Sequence, residues 1–131
     1  MTGIIMTRVL EIVSDIRVKP KGRPRFYRGM AYTDSATREF ESTVRRLFKG
    51  LCQEPFQGPI VVNFIAYMAR PKKTEFSYPP RGDVDNLFKS VADAANEILW
   101  EDDSQIVRMT SEKKWSDEDG FFIKVAEKEI E

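Results

Sequence analysis

Residues 81–106 read Arg81-Gly82-Asp83-Val84-Asp85-Asn86-Leu87-Phe88-Lys89-Ser90-Val91-Ala92-Asp93-Ala94-Ala95-Asn96-Glu97-Ile98-Leu99-Trp100-Glu101-Asp102-Asp103-Ser104-Gln105-Ile106. Val84, Leu87, Phe88, Val91, Ala95 and Ile98 recur at helical spacing, so a helix is predicted from Asp83 to near Leu99. Its polar flank holds Asp85, Lys89, Asp93 and Asn96, because residues four apart stack on one side. Glu101-Asp102-Asp103 reads as a turn into a strand over 104–114.

Working outward, 7–18 alternate and are rich in Val and Ile, which predicts a strand. Residues 26–33 read as a short hairpin turning near Gly29. Asp34 or Ser35 caps a predicted helix to about Leu51, with Phe40, Val44, Leu47, Phe48 and Leu51 in one stripe. Residues 59–69 read as a buried strand, 70–82 as a proline-rich basic loop, and 121–128 as a last strand after a turn over 117–120. The order β-β-α-β-α-β-β predicts an α+β fold: one domain over 1–131, a mixed sheet with both helices packed on it.

Composition narrows the chemistry. The chain of 131 residues contains no histidine and one cysteine, Cys52. Ser-His-Asp and Cys-His catalysis, histidine-ligated metal and Cys-rich zinc sites are therefore excluded. Cys52, near a predicted helix end, reads as a packing residue. The first six residues lack a signal-peptide pattern and no apolar run reaches membrane-spanning length, so a cytoplasmic protein without a membrane partner is expected. Net charge is zero, yet charge is segregated. Six bases and no acid lie between Arg17 and Met30, while seven acids and one base, Lys89, lie between Asp83 and Asp103. Such segregation points to two local fields with different partners, with plain solvated surface charge as the alternative.

Asp83 and Asp85 would diverge by about 200° within a helix, so they converge only if Asp83 precedes it. Capping and favourable dipole placement explain these two acids as well as a site does. They do not explain Lys89, or the acidic triplet 101–103, which opposes the macrodipole. A turn back into the strand would bring Asp103 near Asp85. Three converging carboxylates call for a cation, and Mg²⁺ takes oxygen ligands while keeping waters, which suits phosphoryl transfer. For Lys89 the plain alternative is a surface salt bridge to Asp85.

The block from Arg81 to Lys89, with Asp93-Ala94 and Leu99 to Ile106, resembles the signature of RusA-like Holliday junction resolvases: D-x-D-N-x-x-K, an alanine-rich helix, then W-x-D-D-x-Q-V. Lys21-Gly22-Arg23-Pro24-Arg25-Phe26 resembles the family's weaker N-terminal motif. Ile106 stands where valine is commoner. The resemblance implies a small homodimeric DNA endonuclease, of a kind frequent in phages and prophages, that resolves four-way junctions in recombination and repair with Mg²⁺, for which Mn²⁺ is expected to substitute. It implies Asp83, Asp85 and Asp103 as catalytic metal ligands, the adjacent Asp102 as a further candidate ligand, and Lys89 as the catalytic lysine. Lys19, Lys21, Arg23, Arg25, Arg28, Arg70, Lys72, Lys73 and Arg81 are the candidate DNA contacts, since bases must offset an acidic site's repulsion of phosphate. Trp100 and Phe88 read as core, Trp115 and Tyr78 as weaker candidates for base stacking. Two rivals stand beside this reading: a non-catalytic DNA-binding or replication accessory protein, and a nuclease for other branched or flapped DNA.

Overall fold

The computed structural model describes residues 7–21, 25–32 and 34–128. Six strands and two helices follow in order: β1 (Val9–Ser14), β2 (Arg25–Tyr27), β3 (Met30–Tyr32), α1 (Ser35–Leu51), β4 (Ile60–Ala69), α2 (Val84–Ala95), β5 (Ile106–Ser116) and β6 (Gly120–Glu127). The expected α+β class is found, and the expected order matches except that the segment read as one hairpin-like element forms two strands, β2 and β3. Strand β1 is shorter than its alternating pattern, because the Ser14 hydroxyl takes the Ile16 amide and turns the chain out of the sheet. The hairpin β2–β3 forms a separate two-stranded sheet. Its turn residues Arg28 and Gly29 both have positive φ, as a tight hairpin turn demands.

The main sheet runs β1-β6-β4-β5, with β4 and β5 parallel and the other pairs antiparallel. A parallel pair needs a crossover, and α2 supplies it between β4 and β5. Strands β5 and β6 are joined by the predicted short turn yet do not pair, since β4 lies between them. The link passes over the end of β4, where the Arg70 amide donates to the Ser116 carbonyl (3.0 Å) and the Ala69 amide to Asp119 Oδ1 (2.8 Å).

Both helices cover one face of the sheet. Phe40, Val44 and Phe48 of α1 and Leu87, Phe88 and Val91 of α2 close over Ile60, Val62, Phe64, Phe121 and Ile123. Phe64 meets Phe88 edge-on at 5.7 Å, a favoured aromatic geometry. Two stripe positions depart from expectation: Leu51 is 51% exposed in the last turn of α1, and Val84 is 36% exposed at the first residue of α2. Each stands at a helix end, past the area that the facing layer covers. Asp34 caps α1 through its carboxylate on the Thr37 amide (2.7 Å). Cys52 is buried, as a packing residue should be. Among the described residues no helix is long and apolar enough to cross a membrane.

Candidate active site

The start of α2 is positioned by three separate strands of contact. Gly82 has φ +80°, which favours glycine, and a Cβ there would sit 3.1 Å from Leu87 Cδ2 and 3.3 Å from Pro20 Cγ, so those side chains would have to give by a few tenths of an ångström. Its carbonyl accepts Lys113 Nζ at 2.8 Å, and the Val84 carbonyl accepts the Ser111 hydroxyl at 2.9 Å. The basic N-terminal segment docks on the same helix: Asn86 Nδ2 donates to the Lys21 carbonyl (3.2 Å), and Lys21 pairs with Asp93. Lys21, an expected DNA contact, is thus engaged within the chain.

Asp83 occupies the N-cap position with extended backbone (φ −73°, ψ 138°), but its side chain makes no capping hydrogen bond. The capping alternative therefore does not account for its carboxylate. Asp85 is exposed on the first turn, with Oδ1 accepting the Asn86 amide at 2.9 Å. Lys89 is exposed one turn further on. Among the described residues the ion pairs are Lys21–Asp93 and Lys124–Glu11, so Lys89 is not tied to Asp85 by a salt bridge. The positive end of the helix dipole faces the two acids and offsets part of their mutual repulsion.

The other acids sit elsewhere. Helix α2 ends at Ala95, four residues short of the expected Leu99: Asn96 is its C-cap, Glu97 takes φ 69°, and the Glu97 amide donates to the Trp100 carbonyl (2.7 Å). The fully buried Trp100 divides its indole N–H between Asn96 Oδ1 (3.0 Å) and Asp103 Oδ1 (2.9 Å). Asp103 is thereby held at the C-terminal end of α2. Asn96 lies eleven residues beyond Asp85, about 16 Å along the axis. The expected convergence of Asp103 with Asp83 and Asp85 in one chain is not seen, because α2 runs back along the sheet before the acidic turn begins. Among the described residues no three acidic or cysteine side chains gather into a metal-sized group. Mg²⁺, however, characteristically uses one or two carboxylates and completes its shell with waters and substrate phosphate. The exposed pair Asp83 and Asp85 fits that demand; Asp103 does not join them in a metal-sized group.

The motif's remaining polar residues form a latch, a role that the sequence reading missed. Residues 103–105 are a 3₁₀ turn capped by Asp102 in a reciprocal capping box with Gln105. Gln105 accepts the amides of Glu101 and Asp102 (2.7 and 3.0 Å) and donates to the carbonyls of Phe56 and Gly58 (2.8 and 2.9 Å). The Ser104 hydroxyl and amide hold the Asp102 carboxyl below its usual range. Asp102, the further metal candidate, is therefore occupied as a cap. The S/T/D-x-x-Q spacing over 102–105 carried the signal that would have found it.

Of the expected DNA contacts, Lys19, Arg28, Arg70, Lys72, Lys73 and Arg81 are exposed. Arg28 lies over the Tyr27 ring at 5.4 Å. Arg23 falls outside the described residues, and Arg25 is described by its backbone alone, at the start of β2. Arg70, Lys72 and Lys73 share a shallow recess with Phe76 and Asp117, and Arg17, Lys19 and Arg81 rim a deeper cleft.

A mixed α/β sandwich with two exposed carboxylates and a lysine at one helix start, flanked by basic loops, defines a candidate phosphodiester hydrolase. The family model for the endodeoxyribonuclease RusA matches residues 15–126. The chain therefore belongs to the RusA family of DNA endonucleases. No curated protein matches it.

Proposed function

We infer that the chain is a divalent-metal-dependent endonuclease that hydrolyses phosphodiesters in branched DNA, four-way junctions foremost, acting as a homodimer in recombination and repair. The observation that carries this reading is the state of the α2 start: Asp83 makes no cap bond, and Lys89 is exposed without an ion pair. Asp83 and Asp85 would hold Mg²⁺, with Mn²⁺ as a substitute. When bound, the ion supplies activation of water and charge neutralisation at the phosphate. Lys89, one turn along the same face, stabilises negative charge on the phosphate oxygens as it builds. The exposed bases, Lys19, Arg28, Arg70, Lys72, Lys73 and Arg81, hold neighbouring phosphates against the repulsion of the acids. Arg23 and Arg25 join that set by sequence. Asp103 enters as the third aspartate of the motif on the family resemblance alone, since in one chain it does not stand beside Asp83 and Asp85. Two-fold symmetry of a dimer matches a pseudo-two-fold substrate and allows paired nicks.

Labelled four-way junction, flap and linear duplex, each with and without Mg²⁺, test the reading. Metal-dependent paired nicking of the junction is expected. Equal cutting of linear duplex by a monomer would remove junction resolution. Binding without cleavage in any metal would leave a DNA-binding accessory protein.

A further inference from the structure

Beside the start of α2 lies a cleft of about 740 Å³ whose apolar wall the proposed function does not use. Its wall contains Met68, Pro79 and Trp115; its rim contains Arg17, Lys19 and Arg81. Met68 and Trp115 are register partners on the parallel strands β4 and β5, so both side chains lie on the helix-bearing face of the sheet. Trp115 is half-buried, and its indole N–H donates to the Phe76 carbonyl at 3.0 Å, which fixes the ring while part of it stays open. Pro79 is buried. One acid lies in the wall, Asp119, and its Oδ1 is already taken by the Ala69 amide. The cleft thus pairs an apolar, aromatic wall with three cations and a carboxylate that is already bonded.

We propose that this cleft is a nucleotide subsite: it takes one unstacked base of the DNA against Trp115 and Met68, while Arg17, Lys19 and Arg81 hold the flanking phosphates. A base offers a π-face to an aromatic ring, and its backbone offers anions to the rim, a combination that apolar ligands and bare phosphates each satisfy only in half. The position matches the chemistry. Arg81 belongs to the rim and Asp83 begins the candidate metal site, so their Cα atoms are at most about 7 Å apart, comparable with one nucleotide step. Lys113, bonded to the Gly82 carbonyl between them, keeps that spacing. A duplex buries its bases in the stack; a branch point offers an unpaired one at lower energetic cost. The subsite would therefore favour branched over linear substrate. The proposal rests on the reading of the chain as a DNA nuclease, and its test separates the two.

The probe is thymidine 3′,5′-bisphosphate, titrated into the intact protein without metal and followed by tryptophan emission. Trp100 is fully buried, so a change in emission reports Trp115, and Trp115→Phe serves as the blank. Saturable quenching is expected. The matching abasic deoxyribose bisphosphate should bind about tenfold more weakly, the scale of one lost base–aromatic contact. Trp115→Ala should erase the difference between the two probes, and Trp115→Phe, read by competition, should keep it. Equal binding of both probes, or none of either, overturns the subsite. In parallel, junction binding is read by anisotropy of labelled DNA. A protein that binds and cuts junction but fails the bisphosphate test retains its nuclease reading and loses the subsite. A protein that passes the bisphosphate test without cutting DNA retains the subsite and loses the nuclease reading.

Discussion

The two ends of α2 carry the same residue type in opposite conditions. At the N-terminal end, Asp83 makes no cap bond and Lys89 makes no ion pair, and the backbone beneath them is pinned by Lys113 and Ser111. At the C-terminal end, Asp102 caps a 3₁₀ turn and Asp103 accepts the indole N–H of Trp100. One end keeps its charged groups available on a rigid base; the other uses them to hold the chain. Acidic character alone does not separate the two. Hydrogen-bond bookkeeping does, because a side chain satisfied within the fold must give up a bond to meet a ligand.

The sharpest way to break that contrast is at the N-terminal end. Asp83→Asn and Asp85→Asn are each expected to abolish junction cleavage on a gel while leaving Tm unchanged and junction binding equal or tighter. A large fall in Tm for either would return that acid to a structural role. Asp103→Asn is expected to abolish cleavage as well; retained activity would confine Asp103 to the latch. The second effect in size belongs to the committed end. Trp100→Ala empties a fully buried site and releases both Asn96 and Asp103, so a loss of about 3–5 kcal/mol in denaturant unfolding is expected. A loss below about 1 kcal/mol would show that the indole does not hold the turn.

Lys89→Ala comes next, with turnover lowered about 10²-fold, roughly 2.7 kcal/mol of barrier, and affinity little changed. Unaltered single-turnover rates would leave Lys89 a surface charge. The smallest effect is at Asp102. Its carboxyl is held below the usual value of 3.8, so the folded state favours the ionised form. That contribution is present above about pH 3.8 and is lost as pH falls through the lower folded value. The Tm gap between wild type and Asp102→Ala should accordingly be open at neutral pH and closed in strong acid. A gap independent of pH would mean that the cap acts without its charge.

Much of this molecule follows from local patterns. The 3.6-residue recurrence read to about Leu51 and from Asp83 to near Leu99, the alternation over 7–18, and the Asp34 cap each depend on near neighbours, and each element formed within its pattern, with β1 and α2 ending short of theirs. The motif residues 83–89 and 99–106 likewise name the family without reference to the fold. Tertiary structure alone decided the rest, because those features depend on contacts between residues far apart in sequence. The chain placed β4 between β5 and β6, which no turn signal encodes. It paired Lys21 with Asp93 across 72 positions, taking one base out of the exposed set. It spent Gln105 on the carbonyls of Phe56 and Gly58, and it carried Asp103 to the opposite end of the helix from Asp85. Spacing along a chain determines which residues share a helix face; only the packed sheet determines which end of that helix a later loop returns to.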